Sequence, residues 1–231
     1  MKSYIDQQKI GRRAGLANGA SVGGLIVLLG SIALPLIRPA FAPYSVYVML
    51  AGLGLAMLGI YYANRWVKKP RPEQRLDEAL KGLSDSHCLF HYPSLPCDHL
   101  LLGPSGVVIL ETVNLEGFFT YKAGKWHESI TMGRAVRYIV EEHLGNPIKS
   151  ARGAEMRLAD LLSQRVDGGE AIPVRSVVVF THPRVELQVE NPEIPVLKVD
   201  KLRKHLSPKS SKESKLPEGL YSAVRQFLES L

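Results

Sequence analysis

Two cysteines, Cys88 and Cys97, are all that the 231 residues carry. So few exclude a disulfide scaffold, and their spacing is not that of a structural zinc site. Charge is missing in a more informative way. No residue between Arg13 and Arg38 is charged, and none is charged between Arg38 and Arg65. Neither stretch holds a histidine, so a transport pathway or proton relay through them has no carrier. No internal repeat is visible. An apolar fraction of 45% excludes wholesale disorder.

The two uncharged runs are 24 and 26 residues long. A bilayer core needs roughly 20 apolar residues in helix. The pattern predicts spans at about 16–37 and 44–63, joined by the short stretch IRPAFAPYS, and hence a hairpin with both chain ends on one side. A cleaved secretory signal is the rival reading of Arg12-Arg13 and Ala40-Phe41-Ala42. Signal cores run only about 7–15 residues, however, and here a second long run follows at once.

Residues 1–13 carry a net +3, residues 65–75 a net +4, and the connection only Arg38. The positive-inside bias therefore predicts a multi-pass protein of the inner (plasma) membrane with both termini cytoplasmic. Residues 76–231 hold 19 basic and 20 acidic side chains, so the overall charge of +7 is a property of the membrane flanks and not a nucleic-acid footprint. The juxtamembrane run KKPRP suits anionic headgroups. The lipid bilayer is thus the first expected partner. Gly19 and Gly23 in the first span, and Gly52, Gly54 and Gly59 in the second, predict close packing within the hairpin, with a homo-oligomer through it as a further expectation.

Beyond the spans the pattern changes. Pro72 opens a helix continued by Leu76, Leu80 and Leu83, and Gly82 with Ser84-Asp85-Ser86 ends it. Strands are expected at 87–92, 98–102, 107–113 and 118–122, the middle pair joined by the turn GPSG. Residues 127–145 read as loop with a helical piece. Asn146-Pro147 starts a helix with Ile148, Ala151, Met156, Leu158, Leu161 and Leu162 on its buried side. Strands follow at 174–181 and 195–199, then a helical turn at 202–206, a polar linker and an amphipathic helix over 220–231. The expected organisation is an N-terminal segment 1–69, a domain over 70–206, and a linker with closing helix over 207–231.

The hairpin around GPSG carries the chemistry. If Gly103–Gly106 form a four-residue loop, Leu102 faces Val107, and the same register sets Asp98 against Glu111. Opposed side chains have Cβ atoms roughly 4.5–5.5 Å apart, and like charges so placed destabilise a sheet. A cation, a shared proton or a nearby base would compensate. Leu100, Leu102, Val107 and Ile109 share the face of the acids, and Leu101, Val108 and Leu110 take the other, so helices should cover both faces. A hard divalent cation suits two carboxylates at such a position and can activate water against a phosphodiester. The plainer reading makes Asp98 a strand start and Glu111 a strand exit near solvent.

Taken together, RPEQRLDEAL, CDHLLLGPSGVVILETVN, KAGKW, NPIKSARGAEMRLADLL and VRSVVVF resemble the NERD (nuclease-related domain) family, part of the restriction-endonuclease-like PD-(D/E)xK group. The resemblance runs from about residue 72 to 206 and implies an α/β/α sandwich with a mixed central sheet behind the two-helix hairpin. It implies an active site of Glu73, Asp98 and Glu111, with Asp98 and Glu111 holding magnesium, and DNA or RNA as partner. Two positions depart from the pattern. The family's lysine falls at position 113, which is Val113, and its glutamine at position 150, which is Ser150. A valine can neither position water nor offset charge at a phosphate. Lys122 and Lys149 are the nearest substitutes and read as solvated. The expectation is a degenerate or weakly active metal-dependent nuclease-like module, with a non-catalytic membrane-tethered scaffold as the alternative.

The remaining conspicuous residues read as structural. Trp126 should pack in the core, His99 should lie on the face away from the acids, and Cys88 and Cys97 should be small core residues. His182 shows no partner in the sequence pattern. The lysine- and arginine-rich stretch over 198–215 is broken by Asp200 and Glu213 and reads as a solvated tail.

Overall fold

The computed structural model describes residues 1–129, 143–207 and 215–231. These form two compact units. One is built from residues 7–71. The other gathers residues 1–6 with most of the chain beyond Pro72.

The first unit is a pair of long helices, α1 (Gln7–Ile37) and α2 (Ala42–Trp66), with one turn of 3-10 helix at Pro39–Phe41 between them. Both are long and apolar enough to cross a membrane. At 1.5 Å per residue they measure ~46 and ~38 Å, against a hydrocarbon core of about 30 Å. Their buried residues recur every seven positions: Ile10, Ala17, Gly24 and Ser31 on α1, and Gly52, Gly59 and Trp66 on α2. A seven-residue period keeps one seam of each helix on its partner. The seam is tight because it is glycine. A Cβ on Gly24 would lie 2.5 Å from the Ala56 nitrogen, one on Gly52 would lie 2.9 Å from the Leu28 nitrogen, and one on Gly59 would overlap the Ser21 backbone. Gly19 and Gly54, expected in this contact, face open space, and Gly23 makes only ordinary contact with Leu55. Gly52 and Gly59 lie in the seam as expected, while on α1 the seven-residue period puts Gly24 there in place of Gly19 and Gly23.

The second unit is a mixed α/β domain. Its strands are β1 (Lys2–Ile5), β2 (Cys88–His91), β3 (His99–Gly103), β4 (Gly106–Val113), β5 (Gly117–Lys122), β6 (Lys125–Ser129), β7 (Val174–Phe180), β8 (Val185–Val189) and β9 (Val196–Lys198). Its helices are α3 (Pro72–Leu80), α4 (Pro147–Arg165), α5 (Val199–His205) and α6 (Glu218–Glu229). The central sheet has the order β1-β2-β3-β4-β7-β9, and a smaller sheet has the order β6-β5-β8. β2, β3 and β4 pair antiparallel, while β1 on β2, β7 on β4 and β9 on β7 are parallel.

Helices cover both faces, as two apolar faces require. On one side Leu76 and Leu80 of α3 and Val199 and Leu202 of α5 pack on Leu89, Leu101, Val108, Leu110, Val177 and Val179. On the other, Ala154, Leu158 and Leu162 of α4 and Val224 and Leu228 of α6 pack on Leu100, Leu102, Val107 and Ile109. A third cluster joins the smaller sheet, through Phe119, Tyr121 and Val185, to Val113, Val178, Phe180 and Ile148.

Local chemistry explains the helix starts. The Asn146 side chain accepts the Lys149 backbone N–H at 3.1 Å, and Pro147 occupies the first helical turn, the expected start of α4. Met156, expected on its buried side, is 68% exposed. Residues 125–129 are a strand where loop was expected at 127–129, 143–145 are irregular as expected, and 130–142 lie outside the described residues. So does the part of the polar linker at 208–214, with Lys209 and Lys212.

Candidate functional site at the acidic end of the central hairpin

The turn at residues 103–106 closes the hairpin in the expected register: Leu102 pairs with Val107, Leu101 with Val108 and Leu100 with Ile109. The paired ladder ends at Leu100 and Ile109, and Asp98 and Glu111 lie two positions beyond it. Asp98 lies just before β3, and its carbonyl accepts the Tyr92 N–H at 2.6 Å. Glu111 lies within β4, opposite Val178 of β7. Both are half-buried. In β4, Leu110 belongs to the α3 face, whereas Ile109 packs on α4 and Val113 packs beside Ile148 of α4. Alternation therefore puts Glu111 on the α4 side with Val113.

Glu73 takes a different place. It sits in the first turn of α3 and is 1% exposed. The Tyr92 hydroxyl donates to its Oε2 at 2.9 Å. Tyr92 joins the two acidic positions, holding the Glu73 carboxylate by its side chain and the Asp98 carbonyl by its backbone.

Tyr92 is one end of a polar cluster that the sequence pattern did not reveal. Its ring packs 4.9 Å from that of His99. His99 and His91, 1% and 2% exposed, meet Nδ1 to Nδ1 at 2.9 Å, and His91 Nε2 lies 3.3 Å from Asp77 Oδ1. The two Nδ1 atoms share one hydrogen bond, and His91 Nε2 bonds the Asp77 carboxylate. Burial pushes the Asp77 carboxyl up. Hydrogen bonds from His91 and from Ser3 of β1 outweigh this and hold it below the usual aspartate value. One signal was available: Glu73 and Asp77 are four apart, one above the other on a helix. His99 does lie on the α3 side, away from Glu111.

Residues 69–181 match the family model of the nuclease-related domain, NERD. The chain carries a NERD domain. No curated protein and no solved structure matches it.

Within the NERD domain the two departures have clear surroundings. Val113 is 8% exposed and packs among Val178, Phe180, Phe119, Ile148 and Ala151. The strand end there is closed by Thr181, whose N–H donates to the Val113 carbonyl at 2.9 Å. Ser150 is exposed in the first turn of α4, its N–H spent on the Asn146 carbonyl. Lys122 lies on the smaller sheet and pairs with Glu190 at 3.5 Å, and Lys149 is exposed. Trp126 packs in the third cluster, 5.0 Å from Tyr121 and 5.8 Å from Phe180. Cys88 and Cys97 are buried free thiols. The His182 Nδ1 accepts the Arg184 N–H.

Magnesium takes about six oxygens in near-octahedral geometry. Among the described residues, no three histidine, cysteine, aspartate or glutamate side chains converge so as to hold a metal ion.

Proposed function

We propose that this chain is a membrane-anchored NERD-domain protein whose nuclease-like module is degenerate or at most weakly active and acts in binding or processing nucleic acid. The observation that carries the reading is Val113. Where the family pattern calls for an ammonium beside the scissile phosphate, this chain has an isopropyl group packed into a core cluster. The engagement of Glu73 by Tyr92 supports the same conclusion. Anchoring is supported by the two long apolar helices, and the basic flanks at both ends of the hairpin favour both termini and the domain on the cytoplasmic side of an inner membrane.

The test uses the full chain in detergent with labelled duplex DNA, single-stranded DNA and RNA, in magnesium and in manganese. Cleavage is expected to be absent or slow, and any that occurs is expected to vanish in Asp98→Ala. Salt-sensitive nucleic-acid binding without turnover fits the reading. Rapid metal-dependent cutting by the wild type would refute degeneracy. Failure both to bind and to cut would leave the tethered protein-interaction scaffold as the better account. Metal titration of the wild type against Glu111→Gln asks separately whether the acids still act together.

A further inference from the structure

Helix pairing does something to the charges that the linear sequence does not display. Gly24 meets Ala56, Gly52 meets Leu28 and Gly59 meets Ser21, so each step up α1 is a step down α2. Carried toward the chain ends, this register sets Arg13 beside Trp66, and the Arg13 guanidinium lies over the Trp66 ring at 4.5 Å from its centroid. Arg65 lies at 5.8 Å from the same ring. Lys9, Arg12 and Arg13 from α1 therefore share one level with Arg65, Lys68 and Lys69 from the end of α2. All but Lys9, which is half-buried, are exposed. No acidic residue occurs anywhere between Asp6 and Glu73.

We propose that these six side chains form a single belt that binds the phosphates of anionic lipid headgroups. The proposal rests on the anchored reading above and goes beyond it by naming the lipid class. Three observations favour a lipid over a nucleic acid. The belt begins where the uncharged runs end, at Arg13 and Arg65. Its aromatic member is tryptophan, the side chain enriched at headgroup level. The remainder of the chain, 76–231, is slightly acidic overall, so its net charge adds no attraction for a polyanion. Six like charges gathered by helix packing repel one another, and a surface of phosphates relieves that repulsion.

The test places the full chain in nanodiscs of equal parts phosphatidylcholine and phosphatidylglycerol. It then weighs, by native mass spectrometry after gentle detergent release, which lipids stay attached. The wild type should retain phosphatidylglycerol in excess of its share. The triple variant Arg12→Gln, Lys68→Gln, Lys69→Gln should lose about tenfold or more of that enrichment. Lys68→Arg with Lys69→Arg should keep it, as should Arg38→Gln at the far end of the hairpin. Retention of the two lipids in bath proportion by an inserted wild type overturns the belt and leaves anchoring intact. Displacement of phosphatidylglycerol by a short DNA duplex, in the wild type alone, assigns the belt to nucleic acid and overturns the proposal. Failure to enter the nanodisc at all removes the anchored reading and the belt together.

Discussion

Replacing Val113 by lysine restores the residue type of the family pattern, and its cost can be worked out. Val113 is 8% exposed and faces Val178, Phe180 and Ile148. Burial among apolar groups lowers a lysine pKa, by up to 3–5 units at full burial. A partial shift of about two units costs about 2.7 kcal/mol at 1.36 kcal/mol per unit. The N-terminus of α4, positive by its dipole, lies beside Ile148 and adds to the penalty. Glu111, two residues away on the same strand face, subtracts from it. The net expectation is a loss of about 2–3 kcal/mol at pH 6 for Val113→Lys. The sign of the pH dependence follows from linkage. A lysine whose folded pKa is depressed destabilises fully below that pKa, and the deficit shrinks as pH rises toward the unfolded value near 10.4. Chemical denaturation of the full chain from pH 6 to 10 measures both quantities. Adding Glu111→Gln should deepen the loss by about 1 kcal/mol if the carboxylate faces position 113. A variant as stable as the wild type at pH 6, with no pH trend, would refute the placement of Val113 in the apolar cluster. Magnesium-dependent cleavage by Val113→Lys would show that the acids kept a working geometry and only the lysine was lost.

Other perturbations test other parts of the structure. Tyr92→Phe removes the hydroxyl that donates to buried Glu73 and should cost about 1–3 kcal/mol in denaturation, with Glu73→Gln recovering part of the loss. Gly24→Ala should push α1 and α2 apart by about 1 Å, since its new Cβ starts 2.5 Å from the Ala56 nitrogen and ordinary contacts begin near 3.5 Å. It should lower the thermal midpoint of the full chain in detergent, whereas Gly19→Ala, facing open space, should be neutral or slightly stabilising. Burial lowers the pKa of His87, so the domain should lose stability as pH falls below about 6.5 toward the folded pKa. His87→Gln should flatten that part of a stability–pH curve.

The elements readable in the sequence are those fixed by local chemistry. Asn146-Pro147 caps α4 within three residues of itself, and GPSG carries the turn residues that close β3 on β4. The register of the acidic hairpin followed from that turn alone. Elements held by distant partners were not readable. β1 is four residues long, and what fixes it is Tyr4 stacked on Phe90 at 4.8 Å and bonded through its hydroxyl to Glu229 of α6. β8 does alternate, with Val185, Leu187 and Val189 inward, but Pro183 and Pro192 break its surroundings. Met156 is apolar yet out of phase: Ile148, Ala151, Ala154, Leu158 and Leu162 already fill the buried stripe of α4. At the candidate site the register was legible as far as Leu100 and Ile109, two positions short of Asp98 and Glu111. The fate of Glu73 was not, because the strand expected over 87–92 ends at His91 and Tyr92 turns out of it.

The segment that matches the NERD family is not the whole of the folded unit. Both edge strands of the central sheet, β1 and β9, fall outside residues 69–181, and so do α5 and α6. Each of those helices closes one apolar face, α5 through Val199 and Leu202 and α6 through Val224 and Leu228. A sheet with bare edges and half-covered faces exposes unpaired backbone and apolar surface, so residues 69–181 alone would lack the cover that makes the domain stable. The chain supplies that cover from its own two ends, and Tyr4 with Glu229 joins those ends directly. Only Asp6 separates β1 from α1. The strand that seals one edge of the sheet is therefore the one that leads into the apolar hairpin, and the chain returns from that hairpin at Pro72, where α3 begins and Glu73 enters the core. Completion of the domain and threading of the hairpin are, on this connectivity, a single folding problem.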